Sequence, residues 1–204
     1  MPMMVLNREI TESILEQRRA LGNRTRDEVW DGVTYIMPEP GNEHEQIALF
    51  FGSVFYQAFC LGTSNVVQGT ANISDQIVDW TDNYRNPDMA YFSSNCAAVD
   101  HGSFWSGGPD FLLEIISPDD MSRDKLPFYA SVGTREVLIL DRDPWQLELY
   151  QLRRGKLRLV GTAKPGDGQL LPSQVVPLSF ALGRAKRRPK IVIAQTESEQ
   201  QWTF

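Results

Sequence analysis

Two carboxylates in this 204-residue chain stand where the surrounding pattern argues for burial. Glu114 interrupts the apolar run from Phe111 to Ile116 in "PDFLLEIIS", and Asp88 opens "PDMAYFSS" directly after a proline. Both stretches read as strands, and the first, apolar on both faces, belongs in the middle of a sheet. If the two pair as antiparallel neighbours, Asp88 near the start of one lies beside the late part of the other, where Glu114 sits. Asp110, at the start of the second strand, then falls at the opposite end of the pair and reads as a turn residue. Two like charges brought together inside a sheet repel and lose hydration, costs of several kcal/mol that a bound divalent cation offsets. A Mg²⁺ site made of a couple of carboxylates, waters and a substrate phosphate is the economical account.

A lysine can join them. Pro127 is tolerated only in the first turn of a helix, so the helix after "SPDDMSRDK" should begin near Asp124 and carry Lys125 at its start. Lys125, Phe128, Tyr129 and Val132 share one face of that helix, which turns the lysine inward near the carboxyl end of the Glu114 strand. Glu114 and Lys125 equally fit a buried structural ion pair with no metal. Asp88 after Pro87 also fits a turn initiator.

The elements that would position these groups follow from periodicity. Glu9 to Leu21 suits a short amphipathic helix with Gly22 as its C-cap. "DEVWDGVTYIMPEP" suits a hairpin turning at Asp31-Gly32. Asn42 can cap the next helix, with Glu45 completing a capping-box-like pattern, and Ile47, Phe50, Phe51, Val54, Ala58 and Phe59 recur at helical spacing up to Gly62. Extending that stripe back four residues from Ile47 lands on Glu43, a carboxylate aimed at whatever the helix packs on, or a residue that serves the helix dipole. His44 beside it is either a first-turn polar residue or a contact to a substrate phosphate. "NCAAVDHGSFWSGG" reads as a surface loop, and "REVLILD", "QLELYQL" and "KLRLVGTA" read as strands.

Composition narrows the field. The chain is 42% hydrophobic and 23% charged, which suits one ordinary globular domain. No apolar run approaches the ~20 residues of a membrane span, and the opening residues lack the features of a secretory signal, so a cytoplasmic protein is expected. Two cysteines, Cys60 and Cys96, are too few for a disulfide framework or a sulfur-rich zinc site. A net charge of −6 argues against coating nucleic acid through a broad basic face, though it is compatible with an acidic metal site. Cations cluster near the end in "RAKRRPK", Arg184 to Lys190, either a solvated segment or a patch that contacts phosphate, within residues 184–204, read as a partly basic tail after a single domain spanning 1–183. There is no G-x-S-x-G elbow, phosphate loop or H-E-x-x-H motif.

The order of motifs resembles the Uma-two family of restriction endonucleases, within the PD-(D/E)xK nuclease superfamily, over roughly Glu28 to Ala181. The residues that carry it are the "DG" hairpin, a helix opening with Glu43-His44, "PDMA", "PDFLLEIISP", "DK" with Tyr129 four residues later, Gly133, and "EVLILD" followed by "LELYQL". The resemblance implies a restriction-endonuclease-like α/β core of the α+β type, a mixed, mainly antiparallel central sheet flanked by helices. It implies Asp88 and Glu114 as ligands of Mg²⁺ or Mn²⁺, with Glu43 as the helix carboxylate that completes such sites. Ile116 stands where that superfamily usually presents its lysine, and the resemblance implies that Lys125 takes its place from the helix. His44 and Tyr129 are further candidates for contact with the substrate. Val137-Leu138 departs from the family in lacking a common aromatic pair.

The reaction so implied is hydrolysis of a phosphodiester. A metal held by Asp88, Glu114 and the Ile115 carbonyl polarises the phosphate and an attacking water, and Lys125 neutralises developing charge. DNA is the favoured substrate; RNA is not separable from it by sequence. Many such nucleases cut both strands as homodimers. The rival expectation is an inactive binding or scaffold protein that keeps the fold around a structural Glu114–Lys125 pair.

Overall fold

The structure, a computed structural model, describes residues 2–6, 8–20, 26–117, 121–196 and 198–204. Its centre is a six-stranded sheet in the order Lys156–Ala163, Trp145–Arg153, Glu136–Arg142, Phe111–Ile115, Met89–Phe92 and Val66–Gln68. Phe111–Ile115 runs parallel to Glu136–Arg142, and the other neighbours in this sheet are antiparallel. The sheet is thus the mixed, mainly antiparallel one expected. All five residues of Phe111–Ile115 are buried, as a strand covered on both faces requires.

Alternation along these strands sorts the side chains into two cores. Phe111, Leu113 and Ile115, with Leu138 and Leu140, pack with Ile47, Phe51, Val54 and Phe55 of the helix Asn42–Phe55. Leu112, with Val137 and Ile139, packs with Phe128 and Tyr129 of the short helix Leu126–Ser131. Glu114 follows Leu112 by two residues and shares its face. Val137 and Leu138 are fully buried on opposite sides, so the absent aromatic pair is a change of core packing.

Local chemistry sets the ends of the elements. Asn42 lies inside the first turn rather than capping it; Gly41 is the N-cap, and it makes no side-chain cap bond. Glu43 and Glu45 instead supply first-turn charge that suits the helix dipole. A π-helical turn, Tyr56–Cys60, extends this helix toward Gly62, which adopts φ 71°. The helix Leu126–Ser131 follows a 3-10 turn at Ser122–Lys125, with Pro127 in the first turn, where no backbone donor is missed. The first helix spans Arg8–Ala20; its expected cap, Gly22, lies outside the described residues. No helix among the described residues is long and apolar enough to cross a membrane.

Two short-stranded regions complete the fold. The hairpin Glu28–Trp30 and Val33–Ile36 turns at Asp31 and Gly32, φ 50° and 82°, and joins a seven-stranded sheet. The stretch expected as a loop after Phe92 adds to that sheet Val99–Asp100 and Trp105–Ser106, because Trp105 stacks on Phe92 with ring centroids 3.8 Å apart. The C-terminal segment departs from expectation. Residues 184–204 are no tail: Lys190–Gln195 and Gln201–Thr203 form a four-stranded sheet with Leu171–Pro172 and Leu178–Gly183. Ile191 and Ile193 are fully buried in the core that holds Phe51 and Phe180. The cationic run is the connection between two of these strands; most of its charges face water, Arg188 stacks on Phe204, and the apolar alternation after it drives the chain inward.

Candidate active site

The register of the central strands sets the two carboxylates side by side. Tyr91 faces Phe111, Ala90 faces Leu112 and Met89 faces Leu113, so one step further brings Asp88 to Glu114. Asp88 Oδ2 accepts the Ile115 backbone N–H at 2.7 Å, which ties the strands together at this end. His44 Nε2 lies 3.2 Å from the same oxygen, and Arg26 donates to Oδ1 at 2.8 Å. Burial pushes the Asp88 carboxyl up, but the bond and charge of His44, the Ile115 amide and Lys125 together hold it below the usual carboxylate range. Asp110 sits at the other end of the strand pair, accepting the Ser93 N–H at 2.9 Å and pairing with Arg135 at 3.0 Å.

Glu114 is 2% exposed. Lys125 Nζ straddles its two oxygens at 3.2 and 3.3 Å, Tyr129 donates its hydroxyl to Oε1, and Ser122 donates to Oε2 at 3.3 Å. Burial pushes this carboxyl up to about 8; Lys125 pulls against burial, and the charges of Asp88 and Glu28 add to it. A carboxyl so placed is short of positive charge.

Lys125 comes closer to another acid. Glu28 Oε1 stands 2.8 Å from its Nζ, and Glu28 is itself 1% exposed. The backbone N–H of Asn86 donates to Glu28 Oε1 at 2.9 Å and the Trp30 indole donates to Oε2 at 2.7 Å. Next to this pair lies Arg85, its guanidinium 4.5 Å from the Trp30 ring and 4.2 Å from that of Phe128. Burial draws Arg85 down, and the Glu28 charge opposes that.

Arg26, Glu28, His44, Asp88, Glu114 and Lys125 line one cleft of about 410 Å³, which Ile115 also borders. Among the described residues, no three His, Cys, Asp or Glu side chains surround a single point. Zinc held by protein ligands alone does not fit such a donor set. Mg²⁺ fits it, because that ion takes one or two carboxylates and keeps several waters. Burial is the main cause of the raised Glu114 carboxyl, and the charge of Asp88 adds to it.

The sequence matches the Uma2 family, described as putative restriction endonuclease, over residues 13–185. The chain belongs to the Uma2 family. Its fold is shared with a putative nuclease belonging to DUF820 from Anabaena variabilis ATCC 29413, at 17% identity and a TM-score of 0.52, over 65% of this chain and 75% of that one. No curated protein matches the sequence. Restriction-endonuclease-like architecture and nuclease-type function therefore describe this Uma2 chain.

Within it, the residues singled out by sequence take different places. Asp88, Glu114 and Lys125 come together in the cleft. Glu43 turns aside: its side chain is 44% exposed and pairs with Arg142 at 3.3 Å. The apolar stripe of its helix extends back three residues from Ile47, so His44 takes the buried place and meets Asp88. Tyr129 is fully buried and bonded to Glu114, with no surface left to meet a substrate. Arg26 and Glu28 went unmarked in the sequence. Glu28 had one available signal, a carboxylate in the strand-forming half of a hairpin, next to apolar Val29 and Trp30.

Proposed function

We propose that this Uma2 chain is a Mg²⁺-dependent endonuclease that hydrolyses phosphodiester bonds in DNA. The observation that carries the reading is the meeting of Asp88, Glu114 and Lys125 in one cleft, two buried carboxylates and a cation at the ends of adjoining elements. The family description as a restriction endonuclease favours DNA. Asp88 and Glu114 would hold the ion, with the Ile115 carbonyl as a further oxygen donor. What the ion supplies when bound is Lewis acidity, which activates water and offsets charge on the scissile phosphate. Lys125 keeps a positive charge beside that phosphate and donates hydrogen bonds that orient the attacking water. Arg26, on the wall of the same cleft, suits a phosphate oxygen of the bound strand. With a net charge of −6, binding depends on such local cations rather than on the whole surface.

The test is cleavage of supercoiled plasmid, single-stranded DNA and RNA with Mg²⁺, Mn²⁺ or chelator, beside Glu114→Ala and Lys125→Ala. Metal-dependent cutting of DNA that both substitutions abolish is the expected result. Cutting that survives both would refute this site.

One observation favours a second reading, an inactive binding or scaffold protein. Asp88 is paired with Arg26, and Glu114 and Glu28 share Lys125, so the cleft is partly neutralised by its own side chains. On that reading neither Mg²⁺ nor Mn²⁺ shifts the melting temperature.

A further inference from the structure

We infer that Glu28 is a positioning residue of the cleft: it anchors Lys125 independently of Glu114, so that a cation can take Glu114 while the lysine stays in the site. The inference rests on the metal-nuclease reading and extends it. Of the contacts of Lys125 with Glu28 and Glu114, the shortest, 2.8 Å, goes to Glu28 rather than to Glu114 at 3.2 and 3.3 Å. Glu28 does not depend on the lysine for its own place. Both its oxygens accept from neutral donors, the Asn86 amide and the Trp30 indole, and the strand that carries it is paired on both sides.

The charges alternate along this line. Arg85, clamped between Trp30 and Phe128, compensates Glu28; Glu28 holds Lys125; Lys125 reaches Glu114. A lysine with Glu114 as its sole acid would face two outcomes when a divalent cation arrived. Either it would keep the carboxylate and exclude the metal, or it would lose its partner and leave the cleft. A second, fixed carboxylate removes that conflict, because the ammonium can lean on Glu28 while Glu114 turns its electrons to the ion. Outer groups that orient ligands in this way typically govern metal affinity by about 10- to 100-fold.

The test is a Mn²⁺ titration of the full chain, followed by electron paramagnetic resonance of free Mn²⁺ and by plasmid cleavage. The proteins are wild type, Glu28→Gln, Glu28→Asp, Lys125→Met and the Glu28→Gln/Lys125→Met double variant. Glu28→Gln, which removes the nearest acid from Lys125, should bind Mn²⁺ about tenfold more weakly. Its kcat should fall while KM for plasmid holds. The double variant should regain the affinity of Lys125→Met, since the competing ammonium is gone. Glu28→Asp, which keeps the charge, should lose less than Glu28→Gln and serves if the glutamine variant does not fold. Wild-type affinity and kcat in Glu28→Gln, or a double variant as weak as Glu28→Gln, would overturn the role of Glu28 alone. Absence of Mn²⁺ binding by wild type would overturn the metal site itself and this inference with it.

Discussion

His44 meets Asp88 through Nε2 at 3.2 Å, and its other ring nitrogen is buried with no hydrogen-bond partner among the described residues. The contact joins the helix Asn42–Phe55 to the strand end that carries the carboxylate. His44→Leu keeps most of the volume and leaves Asp88 one donor short. Loss of a donor to a buried charged acceptor costs about 1–3 kcal/mol, and removing the unpartnered nitrogen offsets part of that. Urea unfolding at pH 7.5 should place the variant about 1 kcal/mol below wild type; a more stable variant would mean the contact contributes nothing.

Lys125 carries a heavier share. Lys125→Met leaves Glu28 and Glu114 buried around an apolar side chain. Breaking a buried pair by removing one partner costs about 3–5 kcal/mol. A chain of this size loses roughly 2–4 °C of Tm for each kcal/mol. Calorimetry in chelator should show a drop of about 10 °C at pH 7.5. An unchanged Tm would show that the lysine stabilises neither carboxyl.

Truncation after Gly183 tests the C-terminal sheet. It removes Ile191 and Ile193 from the core and exposes Phe180 and Leu182, which pack with them. Each fully buried aliphatic side chain lost costs about 2–5 kcal/mol, against a total stability of about 5–15 kcal/mol. The truncated chain should lack a cooperative unfolding transition and bind a hydrophobic dye. A sharp transition near that of the full chain would restore the view of these residues as a tail.

What could be seen in the sequence was what local pattern controls. The apolar run around Glu114 and the proline before Asp88 gave their strands, and Pro127 located the turn that delivers Lys125. Three features depended on distant partners. Glu28 looked like any hairpin residue until its strand was set against Lys125. His44 rather than Glu43 was buried because the stripe runs 44, 47, 51, 54, 55, and a step of three or four is decided only by what the helix packs on. The strand Lys190–Gln195 was masked by the cationic run before it, though Ile191 and Ile193 alternate as a half-buried strand should.

The Glu114 carboxyl makes stability depend on pH in an unusual direction. Burial raises it from an ordinary 4.5 to about 8, so the folded protein holds a proton that the unfolded chain releases. With more protons bound in the folded state, stability is greatest below 4.5 from this group and declines as pH rises through 8. Among the other carboxylates, burial raises Asp27 in the same sense, while Asp110 and Glu148 are held below their ordinary values and support the fold only once ionised, a contribution already complete by pH 6. Between pH 6 and 8.5, in chelator, Glu114 should therefore make Tm fall as pH rises. Glu114→Gln, a neutral isostere that can still accept from Tyr129, should flatten that slope and raise Tm at pH 8.5 by several degrees. Paired melting curves of the two proteins across this window decide it, and a wild-type Tm that climbs with pH while Glu114→Gln runs parallel to it would show that the buried carboxyl is ionised throughout.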